Sequence, residues 1–336
     1  MTTFLDAADE IYRAGLDERE TEEAFALFFK ARAGLQAVHV KATMDLFNIE
    51  AVLGGFEMAA LLGRLNGLNT DEVSRLPAAT RRVIAATLER RIIFSHEEDR
   101  IRPPVPYESF VELLQRIAKS PVGPVSVITF NYDIALDYAL RYVPMAVDYC
   151  LGDPVPNALP LMKLHGSLNW ARCAKCDAVQ PMPTDDYFTR RRILGPAPDG
   201  LFRLPITADL PRKEHCGQPC PRDPLIVPPT WNKAQYHKSI AKVWQRAAAE
   251  LSEAENIIVV GYSLPDSDEF FHYFLPLGII GPNIIRRVIV CDIVEKVRGH
   301  YERLLSHATR GRFEMYPAQF SQAIQGFRNK LGLASS

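Results

Sequence analysis

The sequence has 336 residues, 47% of them apolar, and its 39 basic residues nearly balance its 40 acidic residues to leave a net charge of -1. A chain of this length can bury one large core or two smaller ones. The balanced charge gives no support to a broad nucleic-acid-binding surface or to an acidic tail. No apolar run reaches membrane-spanning length and no signal peptide is recognisable, so we expect a cytoplasmic protein without a membrane segment.

Residues 1–120 are predicted to be mainly helical. Apolar residues recur at helical spacing in ETEEAFALFFKARAGL, in AATRRVIAATLERRIIF and in YESFVELLQRIAKS. The pair Gly54-Gly55 lies inside such a pattern and no strand precedes it, so it is a poor candidate for a phosphate-binding loop. We expect these helices to pack through their apolar faces.

From Pro121 onward, short apolar strands alternate with helical segments. Strands are expected in PVSVITF, ALPLMKL, PLIV, NIIVV and RRVIVC, and SIAKVWQRAAAELSEA is expected to be an amphipathic helix. Near-continuous apolar strands are typical of a parallel sheet with both faces covered. We therefore predict an α/β fold with three parts: a helical N-terminal region (1–120), a Rossmann-like parallel sheet (121–172 and 221–336) and a small metal-binding module (173–220).

Polar residues follow four of the predicted strands. They are Asn131 and Asp133, His165 to Ser167, Gly261 to Ser263, and Asp292. Ligands of parallel α/β sheets bind at the carboxyl ends of the strands, so we expect these residues to line one crevice.

Each of these polar groups also has a structural interpretation, because Asn and Asp cap helices and short Gly-Ser segments form turns. Taken together they indicate a nucleotide site. Gly261 would let a phosphate approach backbone N–H groups, and Ser263 would add a hydroxyl donor. Asp292 suits a ribose-hydroxyl acceptor, and His165 is the titratable group of the set.

Four of the six cysteines form two close pairs, Cys173/Cys176 and Cys216/Cys220. Two such pairs are typical of a four-thiolate zinc site, which is structural because it leaves no open coordination position. The surrounding module is too poor in apolar residues to form a core, so the metal would stabilise its fold. Two alternatives remain: four reduced cysteines, or His215 in place of Cys220. We do not expect His165 to be a ligand.

The segments ITFNYD, LHGSLNW, the cysteine pairs, IIVVGYSLPDSD and VIVCD, in this order, resemble the sirtuin-like family over residues 121–320. The resemblance implies a Rossmann-like NAD-binding domain, a four-cysteine zinc domain and cleavage of the nicotinamide–ribose bond. It implies that Asn131 positions a water or the ribose, that Asp133 faces the carboxamide and that His165 is the general base. It also implies a set of NAD-binding residues: Thr129, Gly166, Ser167, Gly261, Tyr262, Ser263 and Asp292.

Two departures from the lysine deacylases of this family bear on the substrate. Deacylases read Thr-Gln-Asn-Ile-Asp where this chain has Phe130, and they pair an acyl-lysine peptide with a strand that here reads PLIVPPTWNK. Pro228 and Pro229 remove two N–H donors from that strand. The chain is more similar to prokaryotic sirtuin-like NAD hydrolases of anti-phage defence, in which water replaces the peptide. We expect NAD as substrate and a defence-system partner or a second copy as partner; a lysine deacylase is the alternative.

A further departure concerns the start of the family's domain. The family begins with a strand and a Gly-Ala-Gly-x-Ser loop that wraps the NAD pyrophosphate, and residues 1–120 contain no such segment. A non-catalytic nucleotide-binding or scaffold relative is therefore a third interpretation.

Overall fold

The computed structural model describes residues 3–97, 100–182, 184, 201–202, 213–221, 223–228, 234–265 and 268–333. The chain divides into two compact units. The first comprises Met1–Arg102, Asn131–Ile134 and His165–Ser239, and the second comprises Pro103–Phe130, Ala135–Leu164 and Ile240–Ser336. Within the described ranges, every helix is too short or too polar to cross a membrane.

The helices are α1 (Phe4–Ala14), α2 (Arg19–Leu35), α3 (Ile49–Leu62), α4 (Thr70–Arg91), α5 (Tyr107–Ala118), α6 (Ala135–Tyr142), α7 (Ala234–Glu253), α8 (Glu269–Gly278), α9 (Val297–Leu304), α10 (His307–Arg310) and α11 (Phe320–Lys330), with a 3₁₀ helix at Gln36–Val40. The strands are β1 (Phe94–Glu97), β2 (Arg100–Arg102), β3 (Val127–Thr129), β4 (Val147–Asp148), β5 (Leu159–Lys163), β6 (Gly166–Ser167), β7 (Trp170–Arg172), β8 (Val179–Pro181), β9 (Leu201–Phe202), β10 (Glu214–His215), β11 (Gln218–Pro219), β12 (Leu225–Ile226), β13 (Asn256–Val260), β14 (Arg287–Cys291) and β15 (Phe313–Tyr316).

In the first unit, α2 packs against α4, and α1 and α3 pack beside this pair. The rings of Phe28 on α2 and Phe56 on α3 meet edge to face with centroids 5.2 Å apart, and both are buried. Asn69 accepts a hydrogen bond from the Glu72 backbone N–H, and Glu72 accepts one from the Asn69 N–H, a capping box that begins α4. The helical segments predicted here are confirmed.

The helical prediction that runs through Phe94 is wrong at its end. The helix α4 ends at Arg91, Ile92 is extended, and β1 begins at Phe94. The strand β1 pairs antiparallel with β2 and with β9. The consecutive β-branched residues Ile92 and Ile93 favour extended backbone, and Phe94 anchors the strand because it is fully buried.

The second unit contains two three-stranded parallel sheets, in the orders β4-β5-β3 and β13-β14-β15. The strand β3 pairs with β5 in a register that places Thr129 beside Lys163. Both β5 and β14 are mostly buried, whereas β3 and β13 are half-buried and, among the described strands, pair on one side only. The predicted α/β fold with parallel strands is confirmed.

Helices cover the faces of these sheets. One side of α5 places Leu113 and Ile117 against Ile289 of β14 and Phe327 of α11. On the opposite face of β14, Val288 and Val290 pack in a cluster formed with α8 and α9. The apolar runs of the sequence are therefore strands with covered faces, as their continuous hydrophobicity predicts.

A buried ion pair joins β5 to α6. The Lys163 Nζ lies 2.8 Å from the Asp137 Oδ2, and the two side chains are 1% and 2% exposed. The Tyr149 hydroxyl donates to the Asp137 Oδ1 at 2.6 Å. Because both charged groups are buried away from water, each is stabilised by its contact with the other.

We expect Lys163→Met to lower the free energy of unfolding by about 3 kcal/mol or more, because it leaves the Asp137 carboxylate buried without its cation. The matched control is Arg298→Met, which breaks an exposed ion pair with Glu295 and should change stability by less than about 1 kcal/mol. Urea denaturation compares the two variants. Equal midpoints for both would contradict a stabilising role of the buried pair.

Candidate functional site

The segment Asn131–Ile134 is held beside the residues that follow β5, within the first unit. The Leu168 N–H donates to the Tyr132 carbonyl at 2.9 Å, and the ring centroids of Tyr132 and His165 lie 6.0 Å apart. The Tyr132 hydroxyl donates to the Val227 carbonyl at 2.6 Å. The structure thus brings the predicted catalytic residues Asn131 and Asp133 into the same part of the unit as His165.

The backbone around His165 is fixed by the pairing of β6 with β12. The His165 carbonyl accepts a hydrogen bond from the Val227 N–H at 2.8 Å. Gly166 has a φ of +85°, and a Cβ there would lie 2.0 Å from the Leu225 carbonyl oxygen, so this position requires glycine. Ser167 is fully buried and donates to the Asn169 Oδ1 at 2.7 Å. His165 therefore lies in the turn between β5 and β6, and the pairing of Gly166 and Ser167 with β12 holds that turn in place.

The exposures of the three predicted catalytic residues differ. Asn131 is exposed and Asp133 is half-buried. The His165 side chain is 6% exposed. An imidazole this enclosed, on a residue whose carbonyl is bonded to the Val227 N–H, has little freedom to move.

In the second unit, polar residues follow β13 and β14. Gly261 has a φ of +64°, and its N–H donates to the Cys291 carbonyl at 2.9 Å. Apart from its chain neighbours, no described residue lies within 4 Å of where its Cβ would be, so the described part of the chain leaves this backbone open. Ser263 is exposed, and the half-buried Asp292 accepts a hydrogen bond from the Val294 N–H at 2.8 Å.

Aromatic rings connect the ends of β3 and β13, which sequence reasoning did not foresee. Phe130 and Tyr262 stack with centroids 4.5 Å apart, and Phe271 meets both rings edge to face. The Tyr262 hydroxyl donates to Asp268 at 2.7 Å, and its carbonyl accepts from the Tyr301 hydroxyl at 2.8 Å. Burial raises the pKa of Tyr301, so it remains a neutral donor. Tyr262 is thus fixed by packing and hydrogen bonds.

The predicted NAD-binding residue Thr129 is the last residue of β3. Its carbonyl accepts a hydrogen bond from the Leu164 N–H at 2.9 Å. This bond extends the pairing of β3 with β5 to the ends of both strands. The backbone position from which the chain continues toward Asn131 is therefore fixed.

A candidate metal centre forms in the first unit. Its donor atoms lie within 4.8 Å of one another and belong to Cys173, Cys176, His215 and Cys216. The structure thus gathers three of the four predicted cysteines and adds His215, the alternative that the sequence left open. Cys220 is buried beside Ala171 and Met182, and lies outside this group.

The local backbone explains this arrangement. Cys216 and Gly217 both have positive φ and form the turn of the β10–β11 hairpin, so His215 and Cys216 occupy its tip. The Cys220 N–H donates to the Lys213 carbonyl at 3.0 Å, which places Cys220 at the base of the hairpin. Sequence spacing alone does not reveal which side of the hairpin faces the other cysteines.

The donor set suits zinc. The Cys216 Sγ lies 3.6 Å from the Cys176 Sγ and 3.3 Å from the His215 Nδ1. A hydrogen bond with His215 lowers the pKa of Cys173 to about 6, whereas the hydrogen bond with Cys176 raises that of Cys216 to about 11. Three thiolates and an imidazole are an ordinary tetrahedral zinc set with no open position, so these residues fit a structural ion.

A separate cavity of about 730 Å³ lies in the first unit. It is lined by Leu53 and Phe56 of α3, by Thr80 of α4, and by Arg172 and Asp177 near the metal centre. It contains none of the predicted catalytic or NAD-binding residues, so it is distinct from the candidate site.

Comparison with solved structures finds sirtuins. A Sir2 homologue S24A mutant in complex with ADP-ribose is 17% identical, with 80% of this chain and 81% of that chain covered, at a TM-score of 0.42. Sir2Tm bound to a propionylated peptide is 12% identical over 78% of this chain and 83% of that chain, at 0.39. A Sir2–p53 peptide–NAD+ complex is 11% identical over 78% and 82%, at 0.38. No protein-family model and no curated protein matches the chain. All three TM-scores lie below 0.5.

We expect His215→Ala to weaken zinc binding by more than about 100-fold, because loss of a direct ligand should exceed the usual cost of losing a supporting contact. Cys216→Ser should do the same, while Cys220→Ser should keep about one zinc per chain. Elemental analysis after dialysis measures the bound metal. Loss of zinc in Cys220→Ser with retention in His215→Ala would instead support the four-cysteine set.

Proposed function

We propose that this protein hydrolyses NAD to nicotinamide and ADP-ribose. The observation that supports this proposal most is the attachment of the Asn131–Ile134 segment to the turn that carries His165. It gives a confined imidazole, an exposed amide and a carboxylate within one unit. These are the groups needed to position a water, accept its proton and orient a nicotinamide.

The reaction needs no external oxidant or co-reactant besides water. The bond between the ribose C1′ and the nicotinamide nitrogen breaks, and its electron pair neutralises the positive charge of the departing pyridinium ring. A water oxygen bonds to C1′ and releases one proton. In our proposal Asn131 holds this water, His165 accepts the proton directly or through a ribose hydroxyl, and Asp133 hydrogen-bonds the carboxamide.

Residues that follow β13 and β14 would bind the dinucleotide. The open backbone at Gly261 suits a phosphate, and the exposed Ser263 hydroxyl adds a donor. The Asp292 carboxylate, held by the Val294 N–H, suits the ribose hydroxyls of the adenosine half. Thr129 and Tyr262 would line the edge of this NAD-binding region, because Thr129 is the last residue of β3 and Tyr262 follows β13 closely.

Zinc would have a structural role. Cys173, Cys176, His215 and Cys216 would hold it, and it would supply folding energy to a segment with little core of its own. Cys220 packs with Cys173, Ala171 and Met182 in a small buried cluster.

Water, and not an acyl-lysine peptide, is the proposed second substrate. The strand β12 is only two residues long, and its partner is β6. Pro228 follows it closely and has no N–H to donate to an added peptide strand. Pro229 lies outside the described residues. Free hydrolysis of NAD would be harmful to a cell, so we propose that the activity is gated by a defence-system partner or by self-association. The resemblance of the sequence to NAD hydrolases of anti-phage defence supports a role in that process in the cytoplasm.

We expect His165→Ala and Asn131→Ala each to lower nicotinamide release from NAD by about 10²–10⁴-fold, because each removes one group from proton transfer or water positioning. The control is His307→Ala, an exposed histidine outside the site, which should keep the full rate. Chromatographic quantification of nicotinamide gives the rates, and thermal melting verifies folding.

Two results would favour other functions. Acceleration of nicotinamide release by an acetyl-lysine peptide would indicate a deacylase. Calorimetric binding of NAD or ADP-ribose with no turnover would indicate a non-catalytic nucleotide-binding protein. Equal rates for His165→Ala and His307→Ala would exclude the proposed base.

A further inference from the structure

The outer face of α8 and of the turn after it carries a continuous row of large apolar side chains. We call this row the α8 stripe; its members are Phe270, Tyr273, Leu277, Ile280 and Ile284, with exposed fractions between 41% and 73%. The opposite face of the helix is already used, since Phe271 and Leu275 are buried in the core. The segment is thus apolar on both sides, and only one side is covered.

Within α8 the stripe has the spacing of a helix-pairing seam. Phe270, Tyr273 and Leu277 are 3 and 4 residues apart, which is the a/d spacing of helices that pack along their length. Ile280 and Ile284 follow in the turn after the helix ends at Gly278. Exposed apolar residues are normally scattered singly and need no explanation. Five large exposed apolar side chains within 15 residues are typical of an interface.

The stripe is held in a fixed conformation. At its start, Phe270 packs edge to face on Trp244 with centroids 4.8 Å apart. At its end, Gly281 fits so closely that a Cβ would lie 1.9 Å from the Ser252 carbonyl oxygen, and the Asn283 Nδ2 donates to the Glu253 carbonyl at 2.6 Å. A surface ordered in advance loses little conformational entropy when a partner binds.

The size of the stripe matches one half of a small stable interface. From its exposed fractions it presents on the order of 600 Å² of surface, the upper end of what monomers leave uncovered. A standard interface takes about 800 Å² from each partner, which the stripe and its exposed neighbours Pro282 and Asn283 approach.

The lack of charge in the segment favours a second copy of the chain as the occupant. Residues 270–285 contain no Asp, Glu, Lys or Arg. Two identical copies of this face therefore meet without like-charge repulsion, whereas a charged partner finds no complementary group. The nearby Arg286 is paired with Glu255, so the segment lacks the free basic side chains that draw a helix to a lipid surface.

We propose that two copies of this chain associate through the α8 stripe, with α8 packed on its mate across a two-fold axis. An isologous contact needs a self-complementary patch, which an uncharged apolar row supplies. The interface lies entirely on the second unit, and the proposal does not depend on the hydrolase activity.

Sedimentation velocity of the full chain from about 1 to 100 µM tests this proposal. The wild type should sediment with twice the chain mass. Leu277→Asp and Tyr273→Asp should each weaken association by about 100-fold or more, because an unpaired carboxylate would be buried between two apolar helices. Phe47→Asp is the matched control, since Phe47 is 82% exposed on the other unit, and it should remain dimeric.

Thermal melting verifies that the variants are folded, and Leu277→Gln serves if an aspartate prevents folding. A wild type that stays monomeric over the whole range would overturn the proposal. So would an oligomer that both aspartate variants leave intact. A monomer that floats with phosphatidylcholine vesicles would overturn it too, and would assign the stripe to a lipid surface.

Discussion

The buried ion pair between Lys163 and Asp137 is the constraint on which the packing of β5 against α6 depends. A buried ammonium and a buried carboxylate must stay in contact, so the end of β5 is fixed against the first turn of α6. In the sequence, Asn131 lies six residues before Asp137, and His165 lies two residues after Lys163. Both candidate catalytic groups thus lie within six residues of this ion pair along the chain.

Much of the fold could be predicted because its signals are local. The β-branched and apolar runs at Val127–Thr129, Asn256–Val260 and Arg287–Cys291 have no helical period, and all three are parallel strands. Glycine at 261 and the short polar residues after these strands marked where the chain turns. The amphipathic helices could also be predicted, because the apolar faces visible in the sequence are the surfaces that these helices bury.

Other features depend on partners distant in the sequence, and no local pattern contains them. A lysine at the end of an apolar strand looks like a strand terminus, and only its contact with Asp137, 26 residues away, explains its burial. The choice of His215 over Cys220 depends on which residues form the tip of a two-residue hairpin turn. Phe130 looks like a departure from a sequence pattern, and the structure shows a ring stacked on Tyr262.

The most direct measurement is a proton NMR spectrum of NAD mixed with the purified, zinc-loaded full chain in the absence of any peptide. We expect signals of free nicotinamide and of ADP-ribose to grow in equal amounts while those of NAD decline. NAD that remains intact, while line broadening shows that the chain binds it, would contradict hydrolysis as the function of this site.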